Sequence, residues 1–194
     1  MNKLIKRLLD LIISFIMLLI LLPILIIIGI LIRIDSKGPI FFLQERIGLN
    51  GKTFNIIKFR TMIVNAESIG DGLSIKSETD SRITRLGSFL RKTSLDELPQ
   101  FINVFLGSMS IVGPRPPVTY YPYNGIDNYP NKAKRRFQMR PGITGLAQVR
   151  VRNSATWDER IEIDIEYIEG YNLLLDIQIF FLTIKKIFEK ENIY

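Results

Sequence analysis

The chain has 194 residues, of which 47% are apolar, and a formal net charge of +7. This charge favours a polyanionic partner, which could be nucleic acid, anionic lipid or a phosphorylated substrate. Because the sequence contains neither Cys nor His, it excludes disulfides, thiolate zinc sites and catalysis by a thiol or an imidazole, and any nucleophile must come from Asp, Glu, Lys, Ser, Thr or Tyr.

The first predicted element is an uncharged apolar segment from Leu11 to Ile32. Its 22 residues compare with the roughly 20 that a helix needs to span a bilayer. Basic residues flank both sides and draw both ends toward the cytoplasm; these are Lys3, Lys6, Arg7, Arg33 and Lys37. Pro23, near the middle, removes one helical hydrogen bond. These features leave two alternatives open, a re-entrant helix–break–helix and a kinked spanning helix.

A β-hairpin is predicted from about Ile40 to Phe59. Two strand-like stretches flank Asn50-Gly51, a dipeptide that is typical of a type I′ turn. The polar, Gly-containing stretch from Val64 to Asp80 is expected to be a loop with at most one helical turn.

Two helices follow in the prediction. Apolar residues at helical spacing mark the first at Ile83, Leu86, Phe89 and Leu90, and the second at Leu98, Phe101, Ile102 and Phe105. The second helix is the clearer one and is expected to end at Gly107. The stretch from Gly113 to Pro130, rich in Pro, Tyr and Asn, is expected to be an irregular loop.

The C-terminal third contains a basic run, an ambiguous segment and a last helix. The run from Lys132 to Arg140 is typical of a solvated face or of a contact with anionic lipid headgroups. Residues 160–169 alternate Ile with acids, which fits a strand and a helix equally. Leu173 to Phe188 is predicted as a helix whose apolar side either covers the core or lies in the membrane interface. The expected fold class is therefore α+β, mostly helical, with one small hairpin and amphipathic interfacial helices.

Two adjacent acids, Asp96 and Glu97, stand at the start of the clearest predicted helix. A structural interpretation is a capping box between Ser94 and Glu97. The functional interpretation is that the two carboxylates divide their work, one binding metal or attacking phosphorus and the other handling a proton. With oxygen ligands only, Mg²⁺ is the natural metal. Arg115 stands between prolines that restrict its backbone, which suits a bidentate phosphate contact.

Six motifs together resemble the bacterial sugar transferases, which are the monotopic polyprenyl-phosphate phosphoglycosyl transferases of small, single-domain type. They occur in order over nearly the whole chain: Lys6-Arg-Leu-Leu-Asp, Phe54-Asn-Ile-Ile-Lys-Phe-Arg-Thr-Met, Arg82-Ile-Thr-Arg-Leu-Gly, Ser94-Leu-Asp-Glu-Leu-Pro-Gln, Val112-Gly-Pro-Arg-Pro and Arg140-Pro-Gly-Ile-Thr-Gly-Leu-Ala-Gln-Val. A chance match of all six in register is very improbable.

The resemblance implies a re-entrant anchor over residues 1–36 and a catalytic domain over residues 37–194, facing the cytoplasm at the bacterial inner membrane. It implies a Mg²⁺-dependent reaction in two steps, with Asp96 as nucleophile and metal ligand and Glu97 as its acidic partner. A UDP-sugar would form a covalent aspartyl-phosphosugar and release UMP, and a polyprenyl (undecaprenyl) phosphate would then take up the sugar phosphate. Basic residues in the motifs are implied to bind substrate: Lys58, Arg60, Arg85, Arg115 and Arg140. Other enzymes of a glycan pathway would be partners.

The sequence departs from the family pattern at two points. Leu22-Pro23 replaces the usual Ser-Pro at the helix break, so the freed carbonyl lacks a hydroxyl partner. Arg150-Val-Arg-Asn replaces the usual Asn-Gly-Arg-Asn, which alters the loop shape there.

Two other functions compete with the enzyme. A membrane-bound scaffold that binds lipid phosphates explains the charge and the anchor, but it has no need of an Asp-Glu pair. A nucleic-acid binder has no use for a 22-residue apolar run, and no recognised binding motif appears.

Overall fold

The protein is described by a computed structural model over residues 3–69, 80–151 and 155–188. The helices are α1 (Lys3–Asp35), α2 (Arg85–Lys92), α3 (Gln100–Leu106), α4 (Asn131–Lys134), α5 (Leu146–Arg150), α6 (Trp157–Glu169) and α7 (Leu173–Phe188). The strands are β1 (Phe41–Ile47), β2 (Thr53–Phe59), β3 (Ser110–Val112) and β4 (Gly142–Thr144). The fold is mostly helical with small sheets, which confirms the expected class.

The predicted hairpin is confirmed. Strands β1 and β2 pair antiparallel, from Phe41 opposite Phe59 to Ile47 opposite Thr53. Asn50 and Gly51 both have positive φ, of 55° and 77°, as a type I′ turn requires. The Lys52 amide donates to the Leu49 carbonyl over 3.2 Å and closes this turn.

A second, parallel pair of strands, β3 and β4, was not predicted. Ser110 lies opposite Gly142, and Val112 opposite Thr144. The backbones approach so closely that a Cβ on Gly142 would lie 2.1 Å from the Gly113 nitrogen, so glycine is required there. This pairing holds the Pro-Arg-Pro loop against the segment that follows the basic run.

Helix α1 contacts the rest of the protein with both of its ends. Near its start, Asp10 accepts hydrogen bonds from the Ser110 hydroxyl at 2.7 Å and from the Ile111 amide at 3.1 Å. Near its end, Ile28 and Ile32 are buried against Phe59 and Leu90. Most apolar residues between these contacts are exposed.

Helix α1 continues through Pro23 to Asp35. Proline removes one hydrogen bond and is tolerated inside apolar helices. By length and composition α1 is long and apolar enough to cross a membrane, and only 17% of its most apolar window is buried in the protein.

Helices α4 and α5 were not predicted, whereas α6 and α7 agree with the sequence pattern. The ambiguous segment is helical, as α6, and it begins with a capping box between Thr156 and Glu159. Helix α7 has the predicted bounds. It buries Ile179 completely and exposes several large apolar side chains, among them Leu174, Ile177 and Phe181.

Two sequence expectations fall partly outside the described residues. Of the loop predicted from Val64 to Asp80, residues 70–79 lie outside, and Ala66–Ser68 forms one 3-10 turn. Within Arg150-Val-Arg-Asn, Arg152 and Asn153 also lie outside.

Candidate active site

Asp96 and Glu97 lie in a single 3-10 turn, Leu95–Glu97, that precedes helix α3. The predicted capping box is wrong: Ser94 has a left-handed backbone, with φ 56° and ψ 17°, and its side chain accepts no capping hydrogen bond. An N-cap residue needs an extended backbone to turn its side chain toward the helix. Since α3 itself begins only at Gln100, the two carboxylates do not serve as its first turn.

Glu97 is held by an ion pair with Lys58 of strand β2. The Lys58 Nζ donates to Glu97 Oε1 over 2.6 Å, and about a quarter or less of either side chain is exposed. Burial acts to raise the pKa of Glu97, but the charges of Lys58 and Arg115, with hydrogen bonds from Lys58 and Gln100, outweigh it and lower the pKa. Glu97 is therefore an anion throughout the neutral range.

Asp96 shows the opposite shift. Burial raises its pKa to about 6, the Glu97 charge raises it as well, and the positive charges of Lys58 and Arg91 only partly oppose the rise. Two neighbouring carboxyl groups whose pKa values are shifted in opposite directions are typical of a site in which one carboxylate binds and the other reacts. Asp96 is still largely ionised at neutral pH, and its poor solvation favours attack on an electrophile.

Two arginines act on the carboxylates from different elements. Arg91 of α2 donates from Nε to the Thr61 hydroxyl over 2.8 Å, and its charge acts on Asp96. The charge of Arg115, in the Pro-Arg-Pro loop, acts on Glu97. Of the predicted substrate-binding residues, the structure therefore brings Lys58 and Arg115 to the carboxylate pair.

The other three predicted residues lie elsewhere. Arg60 is buried below the end of α1, where it donates to the Lys37 carbonyl at 2.8 Å and to the Ser36 carbonyl at 2.7 Å. Arg140 donates to the Gly107 carbonyl at 2.8 Å, at the C-terminal end of α3. Arg85 is the exposed first residue of α2. The contacts of Arg60 and Arg140 are those of structural residues that satisfy backbone carbonyls.

A fully buried ion pair, which the sequence did not predict, lies next to Arg115. Arg136 Nη2 lies 2.6 Å from Asp164 Oδ2, and only 1% of either side chain is exposed. The same nitrogen donates to the Arg115 carbonyl over 2.8 Å. Burial raises the pKa of Asp164 to about 6, although Arg136 opposes the rise. The sequence does contain a sign that Asp164 is buried. It stands at helical spacing between Ile161 and Ile165, which are both buried.

A magnesium ion at the site would have to rely on few protein ligands. Among the described residues no group of three or more Asp or Glu could hold a metal. Mg²⁺ is commonly bound by one or two carboxylates together with substrate phosphates and water. Asp96 fits this pattern best, because Lys58 already occupies the Glu97 carboxylate.

Comparison with known proteins gives a consistent result. A family profile described as bacterial sugar transferase matches residues 1–190. The chain is 38% identical over 190 residues to the uncharacterized sugar transferase EpsL of Bacillus subtilis (strain 168), covering 98% of this chain and 90% of that protein. It is 41% identical over 201 residues to a UDP-glucose:undecaprenyl-phosphate glucose-1-phosphate transferase of Klebsiella pneumoniae, covering 100% of this chain and 42% of that protein.

A third relative is the galactosyl transferase CpsE of Streptococcus agalactiae serotype III (strain NEM316), 46% identical over 158 residues, which cover 76% of this chain and 34% of that protein. The chain thus spans most of EpsL but less than half of the two other relatives. Because the family profile matches nearly the entire length, the chain belongs to the bacterial sugar transferase family.

Proposed function

We propose that the protein transfers a sugar 1-phosphate from a UDP-sugar to a polyprenyl phosphate, through a covalent phosphosugar on Asp96. The observation that carries this proposal is the half-buried pair of carboxylates with opposite pKa shifts, beside Lys58. The Klebsiella pneumoniae relative, which matches the chain over its full length, is named for the same kind of transfer, with UDP-glucose and undecaprenyl phosphate.

In the first step, an Asp96 carboxylate oxygen attacks the β-phosphorus of the UDP-sugar. The bond from that phosphorus to the bridging oxygen breaks, and UMP leaves with the electron pair. Lys58, held against Glu97 and close to Asp96, is placed to offset the negative charge that builds up on the phosphoryl oxygens.

In the second step, an oxygen of the polyprenyl phosphate attacks the same phosphorus, and the bond to Asp96 breaks. The product is a polyprenyl-diphosphate sugar, and Asp96 is regenerated as a carboxylate. The acceptor needs little help from a base, because a phosphate monoester with a second pKa near 6 is mostly a dianion at pH 7. This fits a Glu97 that stays ionised and serves as a charge partner.

Asp96 would hold Mg²⁺ together with the substrate phosphates. A bound Mg²⁺ supplies neutralisation of the diphosphate charge. The remaining positive charge at the site comes from the chain itself, through Lys58, Arg91 and Arg115.

The contacts of α1 support a re-entrant anchor. Residues near both ends of α1, such as Asp10 and Ile32, contact the same folded domain. In a helix that crossed the bilayer, the two ends would lie on opposite sides of a core about 30 Å thick. We therefore infer that both ends lie on the cytoplasmic face of the inner membrane, where UDP-sugars are made. The product would be taken up there by later enzymes of a glycan pathway.

A scaffold that only binds lipid phosphates is the competing function. It has no use for a half-buried Asp96 with a raised pKa. The experiment that separates the two is product analysis of the purified protein with a panel of UDP-sugars and undecaprenyl phosphate. Formation of UMP and a lipid-linked sugar diphosphate with at least one donor supports the enzyme, and binding of lipid without either product supports the scaffold.

A further inference from the structure

Arg115 is the single residue of the Pro-Arg-Pro loop that is not buried. From Ile111 to Val118 every other residue is buried, whereas Arg115 is partly exposed. Its neighbours Pro114 and Pro116 restrict the backbone on both sides. The position of the Arg115 guanidinium is therefore set largely by the groups that hold this backbone in place.

Four consecutive carbonyl groups of the loop, those of residues 114–117, accept hydrogen bonds from three other parts of the chain. The prolines are held at 3.0 Å each by the following donors: the Gly142 amide for Pro114, Arg46 Nη1 for Pro116 and the Ile47 amide for Pro117. The fourth donor is Arg136 Nη2, which lies 2.8 Å from the Arg115 carbonyl. It belongs to the 3-10 turn Arg135–Gln138. Of these contacts, it is the one that holds Arg115 itself.

Arg136 is in turn fixed by a carboxylate and two aromatic rings. Its Nη2 lies 2.6 Å from Asp164 Oδ2, and only 1% of either side chain is exposed. Its guanidinium carbon lies 5.5 Å from the centre of the Trp157 ring and 5.7 Å from that of the Phe137 ring. One guanidinium nitrogen thus links Asp164 to the Arg115 carbonyl.

Stability alone does not explain a pair of charges at this depth. Burying an arginine and an aspartate removes both from water, and apolar side chains of similar volume are often at least as stabilising. Apolar side chains could not donate a hydrogen bond to the Arg115 carbonyl. What Arg136 supplies is a directional contact to this carbonyl, made by a planar group that can bind a carboxylate at the same time.

We propose that Arg136 and Asp164 are positioning residues: by holding the Arg115 carbonyl, they place the Arg115 guanidinium against the phosphate groups of the nucleotide sugar. The proposal rests on the proposed function for the identity of this substrate. Arg115 touches the substrate, whereas Arg136 and Asp164 act through it. The charge of Arg115 acts on Glu97 of the carboxylate pair, which agrees with a role at the reacting phosphate.

The first test replaces the ion pair by apolar side chains of similar size, in the double variant Arg136→Met/Asp164→Leu. The purified full-length protein in detergent should keep a thermal unfolding temperature close to that of the wild type, because no buried charge is left unpaired. With the UDP-sugar that labels the wild-type protein, formation of the Asp96 adduct in a single turnover should slow about 100-fold, as is typical when a substrate-binding group is displaced by about an ångström. Arg135→Gln is the matched control, because Arg135 pairs with Glu169 at the exposed surface; it should form the adduct at the wild-type rate.

The second test separates positioning from general support of the fold. Arg115→Gln should slow adduct formation by itself, and adding Arg136→Met/Asp164→Leu to it should cause little further loss, because the pair acts through Arg115. A further loss as large as the one seen with Arg115 present would overturn the proposal, since the pair would then act independently of Arg115. A wild-type rate in Arg136→Met/Asp164→Leu or in Arg115→Gln would overturn it as well.

If the double variant does not fold, Arg136→Lys takes its place. Lysine keeps the charge facing Asp164 but lacks the planar fork, so adduct formation should slow, and this loss should vanish when Arg115→Gln is also present. A folded Arg136→Lys protein with the wild-type rate, or one whose loss persists together with Arg115→Gln, would count against the positioning role.

Failure of this proposal and failure of the proposed function give different results. A wild-type protein that forms the adduct, and does so no faster than Arg136→Met/Asp164→Leu, keeps the function and loses the positioning role. The reverse outcome is read from calorimetry of UDP binding with Mg²⁺ present. A wild-type protein that forms no adduct, but whose affinity for UDP falls in the double variant only while Arg115 is present, keeps the positioning role and loses the function.

Discussion

The Lys58 ammonium lies 2.6 Å from Glu97 Oε1, and within the described residues it makes no hydrogen bond to Asp96, one position earlier. Glu97 is thereby paired with a cation, while the half-buried Asp96 forms no ion pair within the described part of the chain. This separation gives the two acids different pKa values and different tasks.

The first prediction concerns pH. Burial raises the pKa of Asp96 to about 6, so its ionised fraction falls as the pH drops through this value. Formation of the Asp96 adduct in a single turnover should therefore be constant near pH 8 and decline about tenfold per unit well below pH 6. Lys58→Met removes a charge that lowers this pKa and should move the decline to higher pH. A wild-type rate that is flat between pH 5 and pH 8 would exclude Asp96 as the ionised nucleophile.

The second prediction concerns the metal. The Asp96 carboxylate and a diphosphate substrate suit Mg²⁺, so EDTA should abolish turnover and excess Mg²⁺ should restore it. Ca²⁺ is larger and less strict in geometry, and it should restore much less. The measurement is UMP release with each ion at matched free concentration. Full turnover in the presence of EDTA would show that the reaction does not need a metal ion.

The third prediction concerns topology. The chain has no Cys, so single cysteines report position without background. Lys3→Cys lies at the start of α1, and Lys52→Cys lies on the exposed hairpin turn of the folded domain. For a re-entrant anchor, a membrane-impermeant maleimide should label neither variant in intact cells and both in inverted vesicles. Labelling of Lys3→Cys alone in intact cells would show that α1 crosses the membrane.

The fourth prediction concerns how α1 is fastened to the domain. Lys6 Nζ lies 2.6 Å from Asp176 Oδ2, and about a tenth of each side chain is exposed. Asp176→Asn keeps an oxygen for the Tyr167 hydroxyl but leaves Lys6 as an unpaired buried charge, which should cost about 3 kcal/mol.

The control for that prediction is Glu166→Gln, which removes a surface pair with Arg150 and should cost at most about 1 kcal/mol. Thermal unfolding in detergent can be followed by the fluorescence of Trp157, the single tryptophan. An equal loss of stability in the two variants would mean that the Lys6–Asp176 pair does not hold α1 against the domain.

Local patterns predicted the local structure well. The hairpin turn at Asn50-Gly51 and helix α7 follow from turn chemistry and from apolar spacing over a few residues. Strands β3 and β4 were missed because three residues are too few to show a period, and because their pairing joins segments about 30 residues apart. The capping box predicted at Ser94 is wrong because a Ser–Glu spacing does not fix the backbone of the serine.

The candidate site was harder to predict, because a charged side chain does not reveal what it faces. Lys58 and Arg140 are both basic residues in matching motifs, yet Lys58 meets a carboxylate and Arg140 meets a backbone carbonyl. Arg136 stands in a run that is typical of a solvated surface, but the fold buries it against Asp164. These outcomes depend on tertiary contacts between distant segments.

The most direct test of the account is the intact mass of the protein after incubation with a UDP-sugar, without lipid acceptor. The wild-type protein should gain the mass of one phosphosugar, and the modified peptide should map to Asp96. Asp96→Asn keeps the shape of the side chain but cannot attack phosphorus, so it should gain no mass and lose turnover by about a thousandfold or more. An Asp96→Asn protein that still turns over, or an adduct on a different residue, would contradict the central claim.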